Sequence, residues 1–135
     1  MWTHEETIET SASPARVWKY FSDVPRWKDW NAGIEAIEIH GPFQAGTSFT
    51  MQPPGQDAFE STLVEVTPNE SFSDETVVDE TRVVVIHKLV ALASGGTRII
   101  YRTEISGPEA DSVGPMVTSD FHQVLTALKQ IAEQK

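Results

Sequence analysis

Residues 8–30 restrict the fold of this chain more than any other stretch, because a strand, two short helices and their turns follow one another there with little slack. Thr7, Glu9 and Ser11 alternate with Trp2, His4, Glu6, Ile8 and Thr10, the period-two pattern of a half-exposed strand. Ser13-Pro14 then supplies a hydroxyl N-cap followed by a proline at the first helical position, where the missing N–H costs nothing. Val17, Trp18 and Phe21 recur at helical spacing and predict one buried stripe. Val24-Pro25 ends that helix, since the residue before a proline is pushed out of the α region. Pro25 can open a second short helix, in which Trp27 and Trp30, three apart, share a face.

Beyond Trp30 the pattern changes to strands, expected at 34–40, 47–52, 59–67 and 71–78, each closed by glycine, proline, asparagine or acidic residues. Residues 82–93 and 97–106 make a long hairpin across Ser94-Gly95-Gly96, where positive φ is tolerated. With the N-terminal strand the total is seven. Gly107-Pro108 stops the last strand. Val117, Phe121, Val124, Leu125, Leu128, Ile131 and Ala132 then form one apolar stripe of helical period, with Ser119, Gln123, Lys129 and Glu133 facing away. Gly114-Pro115 suggests a regular start near those residues, with 109–113 as an irregular lead-in.

The order β, α, α, six β, α, with the Ser-Pro-Ala-Arg-Val-Trp segment at 13–18, the Trp27/Trp30 pair, Gly41 and Gly46, Gly95-Gly96-Thr97-Arg98 and the helix at 125–133, resembles the SRPBCC superfamily (START and Bet v 1-like proteins) across the whole chain. The polyketide cyclase/dehydrase-like branch is the nearest in character. The resemblance implies an α+β helix-grip fold: a seven-stranded curved antiparallel sheet around a long C-terminal helix, with two short helices after the first strand. It also implies an apolar cavity between sheet and helix.

At 135 residues the chain is expected to be a single domain, 1–135, with a core that needs no staples. The absence of cysteine excludes disulfides, thiolate catalysis and Cys-based zinc sites. Twenty acidic against ten basic side chains, a formal charge of −10, argue against nucleic acid and anionic membrane surfaces as partners. The start of the chain lacks a basic and apolar leader, and the longest aliphatic run is 83–86, so neither a signal peptide nor a membrane span is expected and a cytoplasmic location follows. No HExxH, GxSxG, P-loop or GxGxxG is present, and the histidines at 4, 40, 87 and 122 lack metal-ligand spacing. No metal and no cofactor are expected. Asp74, Glu75, Asp79 and Glu80 are read as a solvated acidic corner.

A sheet wrapped around one helix roughly 10 Å across leaves room on its concave side for side chains or a ligand. The apolar candidates are Phe49, Met51, Phe59, Leu63, Val84, Ile86, Ile99, Tyr101 and Phe121, with Trp30 beside them; plain core packing competes for each. Polar candidates matter more, because a buried polar group needs a partner. His87, Arg102 and Glu104 would form an acid/base cluster if inward and an exposed charge ladder if outward. Ile99, Tyr101 and Ile105 on the alternate face favour the outward reading and make Tyr101 the polar group expected in the cavity. His122 is a further candidate or a solvated helix residue, and His4 and His40 are expected to be solvated.

These features are consistent with a carrier or sensor of a small hydrophobic or aromatic molecule, such as a lipid or polyketide-like compound. An enzyme of polyketide cyclase/dehydrase type is the alternative. A protein-interaction module resembling the Hsp90-activator branch is the third. Fold alone does not choose among them.

Overall fold

The computed structural model describes residues 1–134; Lys135, the last residue of the expected single domain, lies outside the described residues. The elements are β1 (Trp2–Thr10), α1 (Pro14–Ser22), a 3-10 helix (Val24–Asp29), β2 (Ala36–Ile39), β3 (Ser48–Gln52), β4 (Phe59–Thr67), β5 (Ser71–Val78), β6 (Thr81–Ala91), β7 (Thr97–Ser106), α2 (Ala110–Thr118) and α3 (Phe121–Ala132). All strands join one antiparallel sheet in the order β1-β7-β6-β5-β4-β3-β2, so the first strand pairs with the last and the rest meander. A register shift between Leu63 and Glu65 leaves Val64 as an extra, exposed residue on β4, and such a bulge bends the strand. The curved sheet grips α3, giving the helix-grip architecture.

Local chemistry explains the first third of the chain. The Ser13 hydroxyl accepts the Arg16 N–H at 3.2 Å and Pro14 opens α1. Val17 and Phe21 are fully buried, whereas Trp18 is only half-buried, packed edge-on against Phe43 and Phe72. The expected second helix is a 3-10 helix; Trp27 within it and Trp30 just after it are both buried. Trp27 Nε1 donates to the Phe21 carbonyl at 2.9 Å, satisfying an acceptor that the end of α1 leaves free. Arg16 reaches across to donate to the carbonyls of Ala132 and Gln134, so one side chain ties α1 to the C-terminal end of α3.

The C-terminal helix differs from expectation at its start. Regular helix begins at Ala110, not near Gly114, and is interrupted at Ser119-Asp120 before resuming at Phe121. Pro115 has no N–H for the Asp111 carbonyl, and the Thr118 hydroxyl bonds back to the Gly114 carbonyl at 3.0 Å; both weaken the helical ladder just before the break. Gly114 has its own reason: a Cβ there would lie 2.4 Å from the Trp2 indole, so only glycine lets α2 approach β1 this closely.

The core has two parts. The larger joins Val17 and Phe21 of α1, Trp27 and Trp30, the concave residues Phe49, Leu63, Phe72, Leu89, Ile99 and Tyr101, and Phe121, Val124, Leu125 and Leu128 of α3. The smaller places Val83, Ile105 and Ala110 beneath α2. No described helix is long and apolar enough to cross a membrane.

Candidate functional site

Sheet register decides which side chains meet on the concave face. Glu6, Tyr101, His87 and Phe72 lie side by side on β1, β7, β6 and β5. One step along, His4, Thr103, Val85, Asp74 and Leu63 form the neighbouring row. The His87 ring stacks on Phe72 with centroids 4.0 Å apart and meets Tyr101 edge-on at 4.6 Å; Phe121, at the head of α3, covers Tyr101 at 5.4 Å. An aromatic wall therefore surrounds a small polar group.

Burial sets the protonation of that group. His87 Nδ1 lies 3.2 Å from the Phe72 carbonyl, and burial lowers its pKa to about 3 against the opposing effect of that bond, so the ring is neutral and Nδ1–H is the donor. Asp74 Oδ2 lies 4.0 Å from the same Nδ1, with its side chain 15% exposed. Desolvation alone pushes the Asp74 carboxyl up to about 7. Tyr101 is held as the neutral phenol by burial first, then by the charges of Asp74 and Asp120. Burial also raises Asp120, at the break between α2 and α3. Among the described residues, three buried side-chain polar atoms have no hydrogen-bond partner: Tyr101 Oη, Thr103 Oγ1 and Trp30 Nε1. Buried polar groups are nearly always paired, so each of these atoms marks a place where a ligand or water can bond.

A half-open cleft of about 430 Å³ opens between the segment after the 3-10 helix and α3, with Trp30, Asn31 and Gly33 on one wall and Asp120, Gln123, Val124 and Ala127 on the other. Trp30 belongs both to this wall and, through Phe21 at 6.3 Å, to the aromatic cluster that includes Tyr101.

Most of the residues named from sequence face the concave side. Phe49, Leu63, Ile99, Tyr101 and Phe121 are buried in the main core; Met51 packs against it, and Phe59 pairs with Met51. Trp30 lines the cleft. Val84 and Ile86 do not belong with them. They lie on the outer face, Val84 between Glu75 and Glu104 and Ile86 between Ser73 and Arg102. The run Val83-Val84-Val85-Ile86 is aliphatic at every position, so it carries no alternation from which to read a phase.

The His87/Arg102/Glu104 cluster does not exist. His87 pairs with Tyr101 and points inward, while Arg102 and Glu104 sit outside, 2.9 Å apart, with Glu5 3.8 Å from Arg102. His4 also departs from expectation: it is inward and half-buried, 2.9 Å from Glu6 and against Trp2 and Phe121. His40 is exposed and bonds Thr50 Oγ1 at 2.7 Å; His122 is exposed on α3.

The residue that sequence reasoning missed is Asp74. The acidic corner divides in the fold: Asp79 and Glu80 form an exposed turn, Glu75 faces outward to Arg82, and Asp74 shares the inner face with Phe72 and Thr76. Alternation from Phe72 along 71–78 was the available signal, and the neighbouring acids masked it.

The family model described as polyketide cyclase / dehydrase and lipid transport matches residues 1–133. No curated protein matches the chain. Among solved structures, the Zhui aromatase/cyclase from Streptomyces sp. R1128 superposes with a TM-score of 0.81 at 15% identity, over 98% of this chain and 93% of that one. Norcoclaurine synthase from Thalictrum flavum, in complex with dopamine and hydroxybenzaldehyde, gives 0.78 at 18% over 99% and 88%. Protein MLL2253 from Mesorhizobium loti gives 0.80 at 16% over 96% and 95%. At these identities the structural matches establish the fold, and the family match over nearly the full length adds the lineage: the chain belongs to the polyketide cyclase/dehydrase and lipid transport family of the SRPBCC superfamily.

Proposed function

We propose that this protein binds a small aromatic or otherwise hydrophobic molecule between the concave face of the sheet and α3. The observation that carries the reading is the half-open cleft beside α3 with the buried, unpartnered Trp30 Nε1 in its wall, and a second unpartnered group, Tyr101 Oη, in the aromatic cluster that Trp30 reaches through Phe21. Apolar walls supply affinity and a few polar atoms fix orientation. A ligand that removes roughly 300 Å² from water gains on the order of 7 kcal/mol before association costs, enough for micromolar binding. A thermal-shift panel of flavonoids, polyketide-like aromatics and fatty acids should contain at least one stabilising compound. With that compound, Tyr101→Phe should weaken binding by about 0.5 to 1.5 kcal/mol, the net worth of one hydrogen bond, and Arg102→Ala on the outer face should leave it unchanged. Calorimetry that found the reverse would refute this site.

A second reading has its own support in Asp74, a carboxyl whose pKa of about 7 suits proton transfer at neutral pH, with the neutral His87 beside it. In cyclase/dehydrase-type chemistry the Asp74 carboxylate takes a proton from the carbon next to a carbonyl, and the Tyr101 hydroxyl holds the enolate oxygen. The protonated carboxyl then gives its proton to a departing hydroxyl, which leaves as water. Solvent deuterium should enter the α carbon of an aryl 1,3-diketone in the presence of the protein, and Asp74→Asn should abolish the effect. Equal exchange with both proteins would remove the enzymatic reading.

A further inference from the structure

We infer, resting on the ligand-binding reading above, that the cleft beside α3 selects uncharged ligands that carry a hydroxyl or N–H donor together with a carbonyl-type acceptor, the donor held by Asp120 and Asn31 and the acceptor by Trp30. The donor end rests on Gly33. A Cβ built there would lie 3.1 Å from Asn31 Oδ1 and 3.1 Å from Asp120 Oδ2, so two acceptor oxygens from opposite walls converge on one point that glycine leaves empty. The Asn31 oxygen is held in place by the Gly33 N–H at 2.9 Å and keeps a second lone pair. Asp120 is the N-cap residue of α3, yet its side chain makes no capping bond; the hydrogen bond it does receive comes from its own main-chain N–H. An N-cap aspartate that does not cap retains its acceptor capacity for a ligand.

The acceptor end rests on a separate observation. Trp30, 5% exposed, stands in the wall beside Asn31, and its Nε1–H has no partner. An indole nitrogen only donates, so the group that completes it is an acceptor. Trp27, three residues earlier, is buried to nearly the same degree and does bond, to the Phe21 carbonyl at 2.9 Å. The unmet donor is therefore the one in the tryptophan that lines the cleft.

Charge explains why the ligand is neutral. Asp29 is paired with Arg26 at 2.9 Å, which leaves Lys28 and Asp120 as one unpaired charge of each sign among the described residues around the cleft. An ammonium is repelled by Lys28 and a carboxylate by Asp120, so neither ion gains over an uncharged molecule. Val124 and Ala127 supply apolar surface for a ring.

The test titrates the intact protein by ligand-observed NMR with 4-hydroxyacetophenone, which has both groups, 4-methoxyacetophenone, which lacks the donor, and 4-ethylphenol, which lacks the carbonyl. The first should bind about five- to tenfold more tightly than either of the others, the worth of one hydrogen bond. Asp120→Ala should fold as the wild type does, since the carboxylate caps nothing, and should bring 4-hydroxyacetophenone down to the level of the ether while leaving the ether unchanged. Gly33→Ala should do the same by another route: its φ lies outside the left-handed region, so the methyl group enters without backbone strain and occupies the point on which the two oxygens converge. If the phenol and its ether bind the wild type equally, or if Asp120→Ala keeps the preference, the donor assignment falls. If 4-ethylphenol matches 4-hydroxyacetophenone, the acceptor assignment falls. Each of these results leaves the aromatic-ligand reading standing, because the ligands still bind. Should none of the three bind while another compound of the thermal-shift panel stabilises the protein, the donor–acceptor selectivity falls alone; with no binder in either experiment, both fall.

Discussion

Replacing Phe21 by alanine should destabilise the protein by about 3 to 5 kcal/mol, the range for emptying a large buried aromatic site. Phe21 is fully buried, and its ring lies within 6.5 Å of the rings of Phe72, Trp18, Trp30, His87 and Tyr101. No single neighbour can move into the space without abandoning another contact, so the cavity would persist. Trp18, three residues earlier on the same helix, is half-buried, and its replacement by alanine should cost less, about 1 to 3 kcal/mol. Urea unfolding of both variants, compared at constant m-value, gives the order directly. A Phe21→Ala loss below that of Trp18→Ala would mean that the aromatic cluster is not where the stability resides.

Asp74→Asn should make the protein more stable at about pH 8, by roughly 2 to 4 kcal/mol. The folded-state pKa of Asp74 is raised from its ordinary 3.8 to about 7. A group raised on folding adds its full stability below the unfolded value, and that contribution is lost as pH rises through the folded value. The wild type therefore loses stability between about pH 4 and 7 through Asp74, and the neutral amide does not. His87 acts in the other direction: lowered from 6.5 to about 3, it costs stability as pH falls through that interval, in both proteins alike. The difference between variant and wild type, followed by thermal unfolding from about pH 4 to 8, should grow with pH and level off above 7. A constant difference would show that Asp74 titrates normally. A carboxyl held unpaired in a dry place costs stability, and that cost is what the amide removes.

These two residues also divide what could be read in advance from what could not. Phe21 was legible because a capped nine-residue helix with apolar positions at 17, 18 and 21 can bury only one side, and the Ser13 cap fixes where it begins. The phase was coarser than the outcome: the stripe included Trp18, and only the packing of Phe43 and Phe72 shows that the indole stops halfway. Asp74 was hidden for a different reason. Its alternation with Phe72 was available, but three acids within six residues read as a solvated surface, and composition overrode period.

By itself the sequence determined the order of strands and helices, because capping, proline placement and periodicity are local and act within a few residues; it did not show that the C-terminal helix begins at Ala110 and breaks at Ser119-Asp120. It also placed Tyr101 and Arg102 on opposite faces, since alternation along a strand permits nothing else. Tertiary structure decided everything that needed two strands in register. His87 joined Tyr101 rather than Arg102 because the hairpin pairs them directly, and Val84 and Ile86 turned outward because their partners on β5 and β7 do. One residue of slip in that pairing would have exchanged the faces, and no local signal within residues 83–86 opposes such a slip. Glu6 stands beside Tyr101 only because β1 closes onto β7, Asp74 shares the concave face one row along only because β5 pairs with β6, and the break before α3 sets Asp120 in the wall of the cleft.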